Sequence, residues 1–277
     1  MVALAEFQVA SAVAIWALAL GGGIVPLYYL QPKGRVHSLL NMCAAGVFLG
    51  AALVHLLPDA LQSRALARLG CSADDKGPCF PFPFFFCGMG FLLILFIEVL
   101  AHDAQRRMAE HSAEHAPLVG GHHHGPPDLS ASQPVLSYVV FVALAFHSVV
   151  EGVALGAAPV PAWDVFVAIA AHKFLEGMVL CMEMLRHALP RRQIFWSVVA
   201  FACVTPTGIL LGYLVAGAAP GDGLGSGVCT AVAAGVFLYV GAMEIIPLEL
   251  HSHDQLLAKC LTLATGFIGF SLLALWV

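Results

Sequence analysis

Eight apolar runs, each long enough to cross a bilayer, limit what this chain can fold into more than any other feature. A spanning helix takes about 20 predominantly apolar residues. Runs of that kind fall at approximately 7–30, 36–57, 83–101, 135–157, 164–187, 194–217, 229–250 and 257–277. Only 10% of the 277 residues are charged, against about a quarter in ordinary soluble domains. Backbone polar groups in hydrocarbon must be satisfied within their own segment, so the runs read as α-helices. The expected fold is therefore an all-α polytopic membrane protein. Residues 1–277 form one transmembrane domain, with a mobile His-rich loop at 102–134. The net charge of −5 is small and dispersed, which leaves no electrostatic footprint for nucleic acid. No basic stretch precedes the first run, so it reads as a retained membrane helix and not a signal peptide.

Two of the runs carry ionisable residues in one repeated pattern. His147-Ser148-Val149-Val150-Glu151-Gly152 and His172-Lys173-Phe174-Leu175-Glu176-Gly177 both read H-x-x-x-E-G. Residues four apart share a helix face, so each run presents an imidazole beside a carboxylate. Such groups cost roughly 2.5–3.5 kcal/mol each at the bilayer centre, and they rarely sit there without a task. The motif midpoints lie 11 and 14 residues from the turn near Val160. At 1.5 Å rise per residue the two pairs differ in height by only about 5 Å. His147, Glu151, His172 and Glu176 are thus candidate ligands at one level. Two nitrogens and two carboxylates suit Zn²⁺, Fe²⁺ or Mn²⁺, and the absence of thiolate argues against Cu(I). Ligation needs neutral histidine, so binding should release protons and weaken in acid. Three readings stand for Lys173: it snorkels, it holds a carboxylate when the ion leaves, or its fixed charge replaces a second ion.

Charge in the connections sets the expected orientation. The first, third, fifth and seventh connections hold Lys33, Arg35, Arg106, Arg107, Arg186, Arg191, Arg192 and Lys259, whereas the others hold only Arg64, Arg68 and Lys76. The basic side reads as cytosolic, which places both termini outside. Cys71 and Cys79 then share a loop on the oxidising side, where a disulfide can form. An internal repeat adds symmetry. Ala44-Ala45-Gly46-Val47-Phe48-Leu49 recurs as Ala233-Ala234-Gly235-Val236-Phe237-Leu238, and His55-Leu56-Leu57-Pro58 matches Glu244-Ile245-Ile246-Pro247 at the same offset. The two copies run in opposite directions, which implies a 3+2+3 inverted-repeat arrangement typical of transporters.

Other polar groups mark a route past the four candidate ligands. His55 and Asp59 fall near the outer end of the second run and Glu244 toward the inner end of the seventh, with Ser148 beside the first motif. The loop at 102–134 contains the run His122-His123-His124. It reads either as a cytoplasmic metal-capturing segment or as a solvated linker with weak affinity.

With these residues in place, the chain resembles the ZIP (Zrt/Irt-like) metal transporters. The likeness rests on both H-x-x-x-E-G helices, the eight runs, the outward termini and the His-bearing third loop. Gly235-Val236-Phe237-Leu238-Tyr239 with Glu244-Ile245-Ile246-Pro247 looks like the seventh helix of the animal-type plasma-membrane zinc importers. The resemblance implies a homodimer in the plasma membrane that imports Zn²⁺, or Fe²⁺, Mn²⁺ or Cd²⁺, as transported substrate, with no catalytic cofactor. It also implies a transport site on helices 4 and 5, and movement of helices 1, 4, 5 and 6 against helices 2, 3, 7 and 8.

This chain departs from the two-metal members of that family. Lys173 stands where they have an acidic ligand, Thr205 where some have Glu, Phe48 where some have Met, and Ser148 where they have Asn. These differences favour one ion, with Lys173 as the electrostatic substitute for a second. Two other classes remain as alternatives: an intramembrane metalloenzyme, which would be expected to carry the absent H-E-x-x-H, and a membrane metal sensor.

Overall fold

The computed structural model describes residues 2–29, 34–70, 80–114, 134–215, 224–252 and 254–276. Among them every regular element is helical: α1 (Val2–Tyr29), α2 (Arg35–Gly50), α3 (Leu57–Gln62), α4 (Arg64–Gly70), α5 (Phe82–Glu114), α6 (Pro134–Ala157), α7 (Trp163–Arg186), α8 (Arg191–Val215), α9 (Leu224–Tyr239), α10 (Ile246–His251) and α11 (Leu256–Leu273). A π-helical segment, Ala51–Leu56, joins α2 to α3, and a second, Val240–Ile245, joins α9 to α10. Counted as continuous rods, eight helices among the described residues are long and apolar enough to cross a membrane.

The π segments have a cause in the sequence. Pro58 and Pro247 sit in the first turn of α3 and α10. A proline has no N–H for the carbonyl four residues back, and its ring crowds that carbonyl. Widening the preceding turn by one residue relieves the clash. Accordingly the Leu57 amide donates to Ala52 O and the Ile246 amide to Gly241 O. Both segments, and both six-residue helices after them, fall at matching places in the internal repeat.

The helices pair closely in two groups of four. One contains α1, α6, α7 and α8; the other contains α5 and α11 with the two bulged rods, α2–α3 and α9–α10. Repeat-related glycines let backbones meet in the second group. A Cβ on Gly46 would lie 2.1 Å from Leu263 O, and one on Gly235 would lie 1.9 Å from Cys87 O. Small residues at such contacts are what membrane helices use in place of hydrophobic burial.

Two segments differ from the expectation of loop. α4 is a short helix on the second connection, anchored by buried Leu66. The helix of the third run continues beyond 101 to Glu114, so the loop begins later than the apolar pattern indicates. An Asp103–Arg107 pair at 2.9 Å, four residues apart, supports the helix where the apolar residues stop. His122, His123, His124 and the Cys71–Cys79 loop lie outside the described residues.

Gly235→Ala should lower the melting temperature of detergent-purified protein by the equivalent of about 1–3 kcal/mol, the usual cost of overpacking. Gly225→Ala is the control, because nothing lies within 4 Å of the added carbon; its melting temperature should be unchanged or higher.

Candidate metal centre

The repeated H-x-x-x-E-G motif has a physical reading in three dimensions. Successive helix residues point about 100° apart, so the adjacent Glu and Gly of each motif face different neighbours. Gly152 sits where a Cβ would be 2.4 Å from Thr205 O of α8, and Gly177 where one would be 2.2 Å from Ala19 O of α1. The glycine thus seats its helix against a partner backbone while the carboxylate before it is turned to the interior.

There the four motif residues converge. One ligand atom each from His147, Glu151, His172 and Glu176 lies within 4.8 Å of the others. His147 Nε2 is 2.8 Å from Glu151 Oε1, and His172 Nε2 is 2.6 Å from the same oxygen. Both imidazoles stand 3.4 Å from Glu176 Oε1. His147, His172 and Glu176 are fully buried and Glu151 is 7% exposed.

The two oxygens of each carboxylate have separate tasks. The Oε1 atoms face the histidines; the Oε2 atoms face Lys173. Lys173 Nζ is 2.7 Å from Glu176 Oε2 and 3.6 Å from Glu151 Oε2. It also donates to Ser148 Oγ at 2.6 Å. Ser148 Oγ donates in turn to Glu176 Oε2 at 3.3 Å. The ammonium sits 5.2 Å from the Phe201 ring centroid, a favourable cation–π distance. Lys173 is fully buried, so the snorkelling reading is corrected: its charge is satisfied where it lies.

Glu176 Oε1 has no hydrogen-bond partner among the described residues. A buried carboxylate oxygen left unsatisfied is costly, and a divalent cation among the two Nε2 and two Oε1 atoms would satisfy it. The set provides the nitrogen and oxygen donors that Zn²⁺ accepts.

Aromatic rings close the rest of the cluster. Phe237 lies 3.9 Å from the His147 ring and 5.7 Å from the His172 ring, and stacks on Phe48 at 4.9 Å. Phe48 and Phe237 occupy the same place in the two copies of the internal repeat. An apolar residue inside an apolar run carries no sign of such a role by itself; the repeat marks both positions, and Phe48 also stands where some two-metal members of the resembled family have Met.

The remaining expected residues lie away from the four. His55 and Asp59 pair at 3.4 Å with the Asp59 side chain half exposed. Phe270 stands between them and the cluster, 6.5 Å from His55 and 5.7 Å from His172. Glu244, on the second π segment, lies close to the Glu98 carboxylate. Glu98 accepts a hydrogen bond from Tyr239. Glu183, close by, holds Arg186 at 3.2 Å and His187 at 2.8 Å. Glu98 and Glu183 stand near the ends of their apolar runs, so the sequence gives no reason to group them with Glu244.

A multi-pass membrane protein with a buried His/Glu cluster held beside a buried lysine belongs among the proteins that handle cations inside a bilayer. Comparisons with known proteins narrow this. The family described as ZIP Zinc transporter matches residues 5–126 and 105–276. Zinc transporter ZIP2 of Homo sapiens is 31% identical over 95% of this chain and 96% of its own length. Zinc transporter ZIP2 of Mus musculus is 31% identical over the full length of both chains, and human Zinc transporter ZIP1 is 32% identical over 95% of this chain and 88% of its own. The chain belongs to the ZIP zinc transporter family, a family of divalent-metal transporters and not of enzymes.

Replacing Lys173 by Met would leave two buried carboxylates without their fixed counter-charge. Breaking one side of a buried ion pair costs about 3–5 kcal/mol, so metal-free Lys173→Met should melt well below the native protein. Saturating Zn²⁺ should raise its melting temperature by more than it raises that of the native protein. Differential scanning fluorimetry with and without chelator measures both.

Proposed function

We propose that the protein carries Zn²⁺ across the membrane toward the cytosol, binding it between α6 and α7 through His147, Glu151, His172 and Glu176. The convergence of those four ligand atoms within 4.8 Å carries the reading. The relatives supply the cargo: each is named a zinc transporter. Fe²⁺, Mn²⁺ and Cd²⁺ have similar enough ligand preferences to compete. The site takes a single ion, because Lys173 already compensates the Oε2 side of both carboxylates.

The route runs past His55 and Asp59 at the outer mouth and leaves past Glu244 at the inner one. Placing Arg186, Arg191 and Arg192 in the cytosol favours this direction and puts both termini outside. The grouping of α1, α6, α7 and α8 apart from the other rods supports movement of that bundle, with its ion, against the rest. The matched π segments support a 3+2+3 repeat with a two-fold axis in the membrane plane. The working form is a homodimer in the plasma membrane, and the His122–His124 run captures metal at the cytosolic side.

Radiolabelled zinc uptake into cells expressing the protein tests the assignment. Glu151→Ala should reduce uptake to background at equal surface expression, and uptake equal to the native protein's would sink it. Unlabelled Fe²⁺, Mn²⁺ and Cd²⁺ added in competition rank the cargo. Removing residues 111–128 should leave measurable uptake, whereas complete loss would favour a sensor whose output is that loop.

A further inference from the structure

The later halves of α6 and α8 meet backbone to backbone, from Gly152 through Gly212. Near their first turns the contact gives way to a surface groove of about 500 Å³ lined by Tyr138, Phe141, Arg192, Gln193, Trp196 and Ala200. Its two ends differ in chemistry. Phe141, Trp196 and Ala200 form an apolar channel running along the helices. At the mouth, Gln193 donates a hydrogen bond to the Tyr138 hydroxyl, linking the helices across the opening. Arg192 stands there with Arg191 beside it, both exposed, and neither forms an ion pair with a described residue. The first turn of α8 contains no acidic residue to offset them.

A cationic, hydrogen-bonding mouth above an apolar channel, on a lipid-facing surface at helix ends, is complementary to one kind of molecule. We propose that this groove is a binding site for an anionic phospholipid, its phosphate on Arg192 and one acyl chain along Phe141, Trp196 and Ala200. Trp196, 58% exposed, and Tyr138 are the amphipathic side chains favoured at that depth. Two unpaired arginines favour a net negative headgroup over a zwitterionic one. The orientation proposed above places the groove in the cytosolic leaflet, the leaflet rich in anionic lipid. A free phosphate would leave the apolar channel unfilled, so the lipid is the source of the phosphate. Two rings connect the groove to the His/Glu cluster. The Phe141 ring lies 6.3 Å from Phe201, which also faces the Lys173 ammonium. A lipid in the groove therefore backs the wall against which Lys173 rests.

Native mass spectrometry of detergent-purified protein, titrated with phosphatidylserine or phosphatidylcholine of identical chains, tests this without requiring transport. The native protein should retain one phosphatidylserine with at least about a fivefold preference, the contribution of one basic side chain near an anionic headgroup. Arg192→Gln should remove most of that preference, and Trp196→Ala should weaken both lipids alike. Both replacements are at exposed positions, and an unchanged melting temperature verifies the fold. Equal retention of the two lipids by native protein overturns the proposal, as does undiminished preference in Arg192→Gln. Displacement of the lipid by glycerol phosphate would overturn its assignment as a phospholipid site.

Discussion

Two carboxylates inside helices otherwise built for lipid impose the constraint on which the rest of this structure depends. Moving each charge out of water costs several kcal/mol even after relaxation. Compensation must come from cations held within a few ångströms, and the chain supplies it asymmetrically. Lys173, itself held by Ser148 and the Phe201 ring, faces one oxygen of each carboxylate, while the imidazoles of His147 and His172 face the other. Only the second side brings nitrogen and oxygen donors together, the donor set suited to a divalent ion.

That asymmetry needs rigid placement, which explains why each glutamate is followed by glycine. Gly152 and Gly177 press their helices against α8 and α1. A larger residue at either position would push its helix away and turn the neighbouring carboxylate off the common centre. Meanwhile the bulged rods bring Phe48 and Phe237 over the same centre from the opposite side. Packing and electrostatics therefore specify one arrangement together, and neither would hold it alone.

How much of this the sequence discloses follows from what each feature leaves in it. Apolar length discloses the spans, and a spacing of four discloses that His and Glu share a face; both are local and periodic. The π segments add one hydrogen-bond register without altering composition, so only Pro58 and Pro247 hint at them. The extension of α5 through Glu114 is hidden because the apolar pattern stops near residue 101 while the helix continues through polar residues. Phe237 and Glu98 are hidden for opposite reasons. The first looks like any lipid-facing aromatic, and the second like any solvated acid at a helix end. Both become meaningful only when another helix is laid beside them.

The fixed ammonium of Lys173 has a further consequence for the cycle of such a carrier. Two carboxylates, one ammonium and unprotonated histidines would sum to one net negative charge in the empty site, and a bound divalent ion would turn that into one net positive charge. The solvation cost of a charge grows with its square, so the two states are equally awkward to move through hydrocarbon. Without the lysine, the loaded form would be neutral and the empty form doubly charged, making the return journey the obstacle. On the import reading, an inside-negative membrane drives both halves: the loaded site inward as a cation, the empty site outward as an anion. On that reading, and while the empty site keeps its histidines unprotonated, Lys173 would divide the electrical work of one turnover evenly between delivery and return.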